Sequence, residues 1–263
     1  MEQWLVDFFQ DESEMLDQLN LFGWQHLLLL AVTLTGGFLL YWFRGRLQRW
    51  KYRESLRYWM AGLFFLNMAV FYSVLLVKGV YDWRIHLPFH LCFISGFLFM
   101  AVLVTGNRRL FRIIYFFTWI GPLPAMLWPN TPVRFDRFLA WHFFISHHLL
   151  LLMGLYCLFV LQYPVERKDT ADAFLFGNGI FFFMFLFNSL FQTNYIMTGQ
   201  LPAHITAMFP FLKRINFPIF WLELCGIAGI ALAYLPAVAG RNRSADSVSA
   251  RLPMSCIPQN RML

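Results

Sequence analysis

Seven long apolar stretches dominate this chain of 263 residues. They cover residues 22–43, 58–77, 87–105, 110–128, 139–163, 173–192 and 217–239. A helix needs about 20 apolar residues to cross the roughly 30 Å of hydrocarbon in a bilayer. The stretches therefore predict an all-α, polytopic membrane protein built as a bundle of seven transmembrane helices. We expect an integral membrane protein of the cell membrane in a prokaryote, or of an endomembrane in a eukaryote.

The composition excludes a soluble globular protein. Hydrophobic residues make up 59% of the chain and charged residues 13%, whereas soluble chains carry about 25% charged residues. The net charge of +7 does not indicate a nucleic-acid partner, because the basic residues lie between the apolar stretches, where they orient a membrane protein. The four cysteines form no CxxC pair, so neither a disulfide framework nor a thiolate zinc site is predicted.

The distribution of Lys and Arg predicts the orientation. Connecting segments on one side of the membrane hold 15 of these 21 residues, and those on the other side hold 6. The richer side is normally cytoplasmic, which places the N-terminus outside the cytoplasm and the C-terminus inside. We predict one membrane domain over residues 1–239, with an acidic N-terminal segment over 1–21. The polar residues 240–263 are predicted to form a disordered cytoplasmic tail.

Polar residues concentrate at the extracytoplasmic end of the predicted bundle. This orientation places every histidine on the extracytoplasmic side or in the outer half of the membrane: His26, His86, His90, His142, His147, His148 and His204. Glu223 lies at a depth of roughly 9 Å on the same side. Ionisable groups inside a membrane are costly and usually face a cavity or a partner, so we predict a buried site at this end.

Helical spacing on the third stretch favours Cys92. This residue shares a face with Ser95 and Gly96, and small faces of this kind normally point toward other helices. His90 lies about 160° away around the same helix. Cys92 is therefore the candidate that faces the interior.

Spacing on the fifth stretch favours His147 over His148. His147 shares a face with Gly154, whereas His148 shares a bulkier face with Trp141. His147 lies roughly 12 Å below the outer boundary, against roughly 8 Å for Cys92. The two side chains would meet if the third and fifth helices are neighbours.

Structural explanations compete with the functional ones. A cysteine in a membrane helix is usually a small packing residue, and an intramembrane histidine or carboxylate more often makes a structural hydrogen bond than performs chemistry. For Glu223 we expect a histidine of the fifth stretch, or the turn at Asn194 and Tyr195, as the polar partner. Pro122 and Pro124 remove backbone donors, so the fourth helix should kink or unwind near its outer end.

Four sequence blocks follow one another between residues 85 and 225. They are LPFHLC from Leu87, RFDRFLAWHFFISHH from Arg134, NSLFQTNYIM from Asn188 and FPIFWLEL from Phe217. In this order they resemble the blocks of the YwaF-like integral membrane family, which is related to the eukaryotic transmembrane protein 164 acyltransferase group. That group looks like lysophospholipid acyltransferases that act through a cysteine and a histidine.

The resemblance implies a membrane-embedded lipid acyltransferase or acyl hydrolase. Its substrates would be a membrane phospholipid or lysophospholipid and an acyl donor, with no cofactor and no metal. The family cysteine falls on Cys92 and the family histidine on His147; a histidine next to a thiol acts as base while the thiol forms a thioester that a lipid hydroxyl, or water, then opens. His148 stays open as the alternative base. Supporting or substrate-binding roles are assigned to His148, His90, His142, Asn194, Tyr195 and Glu223.

Two other functions stay open at this point. A zinc-dependent lipid amidase of the seven-helix kind would bind the metal through outer histidines. A non-enzymatic receptor or carrier would need only the seven spans. The acyl donor and acceptor, the choice between transfer and hydrolysis, and the oligomeric state are not determined by the sequence.

Overall fold

The computed structural model describes residues 21–129, 135–201, 205–206, 209–214 and 218–249, and these residues contain no β-strand. The α-helices are α1 (Trp24–Trp42), α2 (Arg44–Arg49), α3 (Arg53–Val77), α4 (Trp83–His86), α5 (Leu91–Thr105), α6 (Arg108–Ile120), α7 (Pro122–Leu127), α8 (Phe138–Phe159), α9 (Asp169–Phe191) and α10 (Pro218–Ser249). Short 3-10 helices cover Tyr195–Met197 and Pro210–Arg214. The predicted all-α class is confirmed.

Six helical segments in the described residues are long and apolar enough to cross a membrane. They are α1, α3, α6 together with α7, α8, α9 and the part Phe220–Val238 of α10. The third predicted stretch forms a shorter helix than expected. This helix, α5, has 15 residues and is about 22 Å long. Pro88 has no N–H and disfavours helical backbone at the residue before it, and Leu87 is extended with a ψ of 148°.

The fourth predicted helix is interrupted, as its prolines indicated. Helix α6 ends at Ile120, and α7 begins at Pro122 after Gly121. A proline is well tolerated in the first turn of a helix, where its missing N–H has no intrahelical partner to lose. The predicted irregularity of the fourth helix at its prolines is confirmed as this interruption.

A tight turn at Gly106 and Asn107 joins α5 to α6 and sets the two helices side by side. Gly106 closes α5 with a φ of +70°, a conformation that glycine adopts without steric cost. The Asn107 side chain then accepts hydrogen bonds from the N–H groups of Arg109 at 3.0 Å and Leu110 at 3.1 Å, which caps α6. Helices α5 and α6 pack against each other as a result.

Helices α6 and α8 form the centre of the bundle. In the most apolar part of α8, 67% of the residues are buried inside the protein, against 6% in α1 and 11% in both α9 and α10. The core contains Phe99, Phe111, Tyr115 and Phe116, each 0% exposed. The Tyr115 hydroxyl donates to the Ala233 carbonyl at 2.9 Å and so ties α10 to α6. The outer helices present large apolar side chains on their exposed faces, as lipid-facing helices do.

Helix α10 extends beyond the seventh predicted stretch. It continues to Ser249, ten residues into the segment predicted as a disordered tail. Residues 250–263, and residues 1–20 of the predicted acidic segment, lie outside the described residues.

Candidate functional site

One end of the bundle carries the described histidines. We call it the histidine end; α1, α5 and α8 begin there, and α3, α7 and α9 end there. Four of its histidines are buried and two are half-buried: His26, His142, His147 and His148, and then His86 and His90. His204 lies outside the described residues. The predicted clustering of histidines is therefore present in the part of the chain that the structure describes.

Cys92 lies in the first turn of α5 and packs on the interruption between α6 and α7. It is a free, half-buried thiol. A Cβ placed on Gly121 would lie 3.1 Å from its Sγ and 3.9 Å from its backbone N. The absence of a side chain at Gly121 therefore allows the thiol to approach the interrupted backbone closely.

His147 lies on α8 with one ring nitrogen bound and the other available. Nδ1 is 2.6 Å from the Phe143 carbonyl oxygen, which is only an acceptor, so Nδ1 carries the proton. In a neutral imidazole the other nitrogen is then an acceptor. The described residues provide no hydrogen-bond partner for Nε2. The Phe143 ring, 4.1 Å away between centroids, helps to hold the imidazole in this orientation.

The contacts of α6 with α8 give a first estimate of the relative heights of Cys92 and His147. A Cβ on Gly154 of α8 would lie 2.6 Å from Thr118 Oγ1 of α6. Gly121, and with it Cys92, lies about 4.5 Å from Thr118 toward the histidine end. His147 shares the face of Gly154 and lies about 10.5 Å from it in the same direction. By this route His147 lies about 6 Å closer to the histidine end than Cys92.

The contacts of α3 give a second, independent estimate. The Phe64 ring occupies the space above Gly96, where a Cβ would lie 2.0 Å from its Cζ, and Asn67 donates to Ser146 Oγ at 2.8 Å. Asn67, and with it Ser146, lies about 4.5 Å from Phe64 toward the histidine end, and His147 lies about 1.5 Å back from Ser146. Cys92 lies about 6 Å from Gly96 toward the same end. By this route His147 lies about 3 Å farther from the histidine end than Cys92. The two estimates have opposite signs and together place Cys92 and His147 within about 6 Å of each other along the bundle axis. Helices α5 and α8 also contact each other directly.

No hydrogen bond joins Cys92 and His147 within the described residues. Cys92 faces the α6–α7 interruption from α5, and His147 shares the α8 face that packs on α6. Catalytic hydrogen bonds are often long in a ligand-free protein and tighten when substrate binds.

His148 is held on both sides by carbonyl groups. Its Nε2 is 2.8 Å from the Leu29 carbonyl oxygen of α1, and its Nδ1 contacts the Phe144 carbonyl oxygen. His26 makes a comparable link, because its Nε2 is 2.7 Å from the Met126 carbonyl oxygen. These two histidines fasten α1 to α7 and α8, and both ring nitrogens of His148 face carbonyl oxygens.

A polar cluster between α3 and α8 was missed by sequence reasoning. Asn67 donates to Ser146 Oγ and, at 3.3 Å, to the His142 carbonyl. Ser146 donates to the same carbonyl at 2.6 Å. The His142 ring stacks on Phe71 at 4.0 Å, and its buried Nδ1 has no hydrogen-bond partner in the described residues. An amide alone in the apolar run MAGLFFLNMAVF was the signal that could have identified Asn67.

A second polar cluster closes the histidine end after α9. The Asn188 amide donates to the Tyr195 carbonyl at 2.8 Å and to Thr198 Oγ1 at 2.7 Å. Its oxygen accepts from the Tyr195 N–H at 3.0 Å and from Thr193 Oγ1 at 2.6 Å. Every donor and acceptor of this side chain is therefore used to shape the turn.

Tyr195 connects that turn to the segment that leads into α5. Its hydroxyl donates to the Trp83 carbonyl and accepts from the Leu87 N–H at 2.9 Å. Burial raises the pKa of Tyr195 above its ordinary value, which keeps the phenol protonated and able to donate. The His90 ring packs edge-on against Tyr195 at 5.1 Å. Tyr195 thus positions the residues just before Cys92.

Asn194 shapes the same turn. Its side-chain oxygen accepts from the N–H groups of Gly199 and Gln200, each at 3.1 Å, and its amide donates to the Gln200 carbonyl at 2.9 Å. The Tyr195 hydroxyl and the Asn194 amide thus both donate to backbone carbonyls.

Glu223 does have a polar partner, but the predicted partner is wrong. The half-buried carboxylate contacts the Asn178 amide of α9 at 3.5 Å between Oε2 and Nδ2. The expectation was a histidine of α8 or the Asn194–Tyr195 turn. Glu223 therefore bridges α9 and α10.

The described residues do not fit a three-ligand metal site. No group of three or more histidine, cysteine, aspartate or glutamate side chains converges within the described ranges. The buried histidines instead bind carbonyl groups on different helices, or have no partner, as for His142 Nδ1.

Comparison with known proteins identifies the family. The model of the TMEM164 family matches residues 21–234. This range includes both polar clusters described above. The chain belongs to the TMEM164 family. With six helices of membrane-spanning length, this member of the TMEM164 family is an integral membrane protein.

One relative comes from Treponema pallidum (strain Nichols) and is described as an uncharacterized protein. It is 26% identical to this chain over 196 residues, which cover 69% of this chain and 75% of the relative. No solved structure matches the chain.

Proposed function

We propose that this protein is a membrane-embedded lipid acyltransferase, or an acyl hydrolase, in which Cys92 is the nucleophile and His147 is the base. One observation carries the proposal. His147 is held in the tautomer whose Nε2 accepts a proton, it has no partner there in the described residues, and its height along the bundle is within about 6 Å of that of Cys92, a free thiol in the first turn of α5. The resemblance of the surrounding blocks to the acyltransferase group supports the same pair.

The first half of the reaction forms a thioester. As Sγ of Cys92 attacks the carbonyl carbon of an acyl ester, the thiol proton moves to Nε2 of His147. The tetrahedral intermediate collapses when the ester C–O bond breaks, and the departing oxygen takes the proton from the imidazolium. The products are a lysolipid and an acyl group bound to Cys92.

The second half transfers the acyl group to its acceptor. A hydroxyl group of a lysophospholipid, or of water, gives its proton to Nε2 of His147 and attacks the thioester carbon. Sγ leaves and recovers the proton. With a lipid hydroxyl the protein is a transferase, and with water it is a hydrolase.

The hydrogen bonds of the two neighbouring histidines favour His147 as the base. Both ring nitrogens of His148 contact carbonyl oxygens, so neither nitrogen can approach a thiol unless the ring leaves its contact with α1 or within α8. His147 uses only Nδ1, toward Phe143. A base oriented through one nitrogen and open at the other is the usual arrangement in nucleophilic catalysis.

We also propose seven membrane crossings with the histidine end outside the cytoplasm. Helix α5 is about 22 Å long, and the non-helical segment 87–90 before it adds the remaining length. Irregular backbone at membrane depth is tolerated where protein covers it, and Tyr195 bonds to this segment at Leu87. The Lys and Arg bias of 15 to 6 supports the orientation.

Phospholipid acyl exchange in proteoliposomes tests the function. Cys92→Ala and His147→Ala should each abolish the exchange, and the double variant should lose little more, because paired catalytic groups act as a unit. Cys225→Ala is the matched control, since this exposed cysteine lies on α10, and it should keep full activity. Full exchange by folded Cys92→Ala protein would rule out covalent catalysis by this cysteine.

A further inference from the structure

A groove lies between α5 and α9 on the outside of the bundle. Both helices pack against α6, but they leave between them a cavity of about 560 Å³. Its walls are apolar side chains, among them Phe89, Ile94 and Leu98 on one side and Ile180 and Phe183 on the other. This volume is within the range of about 300–1,000 Å³ that ligand pockets occupy in proteins.

The groove begins at the level where the chain meets the membrane surface. Pro88 and Phe89 line that end, and Phe89 packs on Tyr195 at 5.5 Å. Trp83, 40% exposed, and Tyr81, 38% exposed, lie just before it. Exposed Trp and Tyr side chains are typical of the interface between lipid headgroups and hydrocarbon. The groove therefore opens where a lipid headgroup ends and its acyl chain begins.

The groove reaches from the start of α5 past the middle of the bilayer. On α9 its lining runs from Phe176 to Met184, nine residues that span about 12 Å, and Met184 lies about 10 Å from Phe191 at the histidine end of this helix. One leaflet contributes about half of the roughly 30 Å of hydrocarbon. The α5 side of the groove therefore lies mostly in the leaflet at the histidine end, and the α9 side continues to the centre of the bilayer and beyond it.

An empty groove would be unfavourable in the membrane. Its apolar walls attract no water, and a void loses the dispersion contacts of the atoms that line it. Lipid tails are as apolar as the side chains of the wall, so close packing rather than transfer from water determines what fills the space. Gly179 widens the groove, because a Cβ built on it meets no atom within 4 Å.

We propose that this groove is a binding site for one acyl chain of a phospholipid from the leaflet at the histidine end. The headgroup lies beside the segment 87–90 that leads to Cys92, and the chain runs along Ile94 and Gly179 toward the centre of the bilayer. A substrate role for this lipid rests on the proposed function, but chain binding itself does not require the protein to be an enzyme.

Photolabelling with phosphatidylcholine that carries a diazirine at mid-chain tests the site. Full-length protein in vesicles of this lipid is irradiated, and the labelled peptides are identified by mass spectrometry. We expect labels on Ile94, Leu98 and Phe183. Gly179→Leu and Gly179→Trp place a side chain in the open groove and should each reduce this labelling several-fold. Gly62→Leu is the matched control, because Gly62 is exposed on α3 and also meets no atom within 4 Å.

Two results would overturn the proposal. One is labelling in both Gly179 variants that equals that of the wild type. The other is labelling spread evenly over the exposed faces of α3, α9 and α10. Cys92→Ala separates this site from the proposed chemistry, since it should abolish acyl exchange and leave the labelling intact. An inactive wild type that is labelled in the groove would refute the enzyme function alone.

Discussion

Replacing Gly121 by alanine sets two effects of similar size against each other. The backbone at Gly121 has φ −83° and ψ −62°, which alanine adopts freely, and alanine favours a helix over glycine by about 0.8–1.0 kcal/mol. The new Cβ would lie 3.1 Å from Cys92 Sγ, closer than an ordinary contact. Moving the thiol off its preferred rotamer costs about 0.5–1.5 kcal/mol. We therefore expect the free energy of unfolding to change by less than about 1 kcal/mol.

The same change should have a much larger effect on activity. A misplacement of about 1 Å costs a reaction roughly 100-fold, and the Cys92 thiol has to shift by some tenths of an ångström. Acyl exchange in proteoliposomes should fall by about tenfold or more, while the melting temperature of the detergent-solubilised protein stays close to that of the wild type. Gly226→Ala on α10 is the control, because its Cβ would meet no atom within 4 Å.

Wild-type exchange rates in a folded Gly121→Ala protein would refute this reasoning. Such a result would mean that the position of the Cys92 thiol against the α6–α7 interruption has no part in the reaction. A large loss of thermal stability would contradict it in another way, because the steric contact would then outweigh the helix preference of alanine.

Three further substitutions test the packing around the site. Asn188→Leu leaves the buried N–H and C=O of Tyr195 without partners and should cost about 2–6 kcal/mol at about 1–3 kcal/mol for each group; thermal unfolding in detergent measures it, and an unchanged melting temperature would contradict the turn-shaping role. His148→Phe removes the contacts with the carbonyl groups of Leu29 and Phe144 and should lower the free energy of unfolding by about 1–3 kcal/mol. The folded protein should keep its acyl exchange rate, and loss of that rate would indicate that His148 is the base. Gly96→Val should prevent folding because a Cβ there would lie 2.0 Å from the Phe64 ring, and yields of folded protein close to the wild type would refute the close approach of α3 and α5.

Much of the fold follows from hydropathy and proline positions. Six predicted stretches appear as helices of membrane-spanning length, and the prolines near Gly121 interrupt the fourth helix as expected. The exception is α5, which begins at Leu91 rather than at residue 87. Hydropathy averaged over a window does not register that one proline keeps the preceding residue extended.

The site was predictable only in part. Periodicity selected Cys92 and His147 and predicted similar depths for them, and the contacts of α3 and α6 place them within about 6 Å of each other along the bundle axis. The misassigned partner of Glu223 and the overlooked Asn67 have a common cause, because both bonds join neighbouring helices. Which helices are neighbours is not encoded in the spacing along any one of them.

The sequence by itself determined the helices, the interruption at Gly121 and the gathering of histidines at one end, because hydropathy, proline geometry and helical period are local properties. Only the tertiary structure decided that His147, and not its neighbour His148, is left with an available nitrogen. His148 and His26 bind carbonyl oxygens of Leu29 and Met126 across the bundle. Every residue carries a carbonyl group, so no side-chain pattern marks these acceptors, and the rotation and pairing of the packed helices select them.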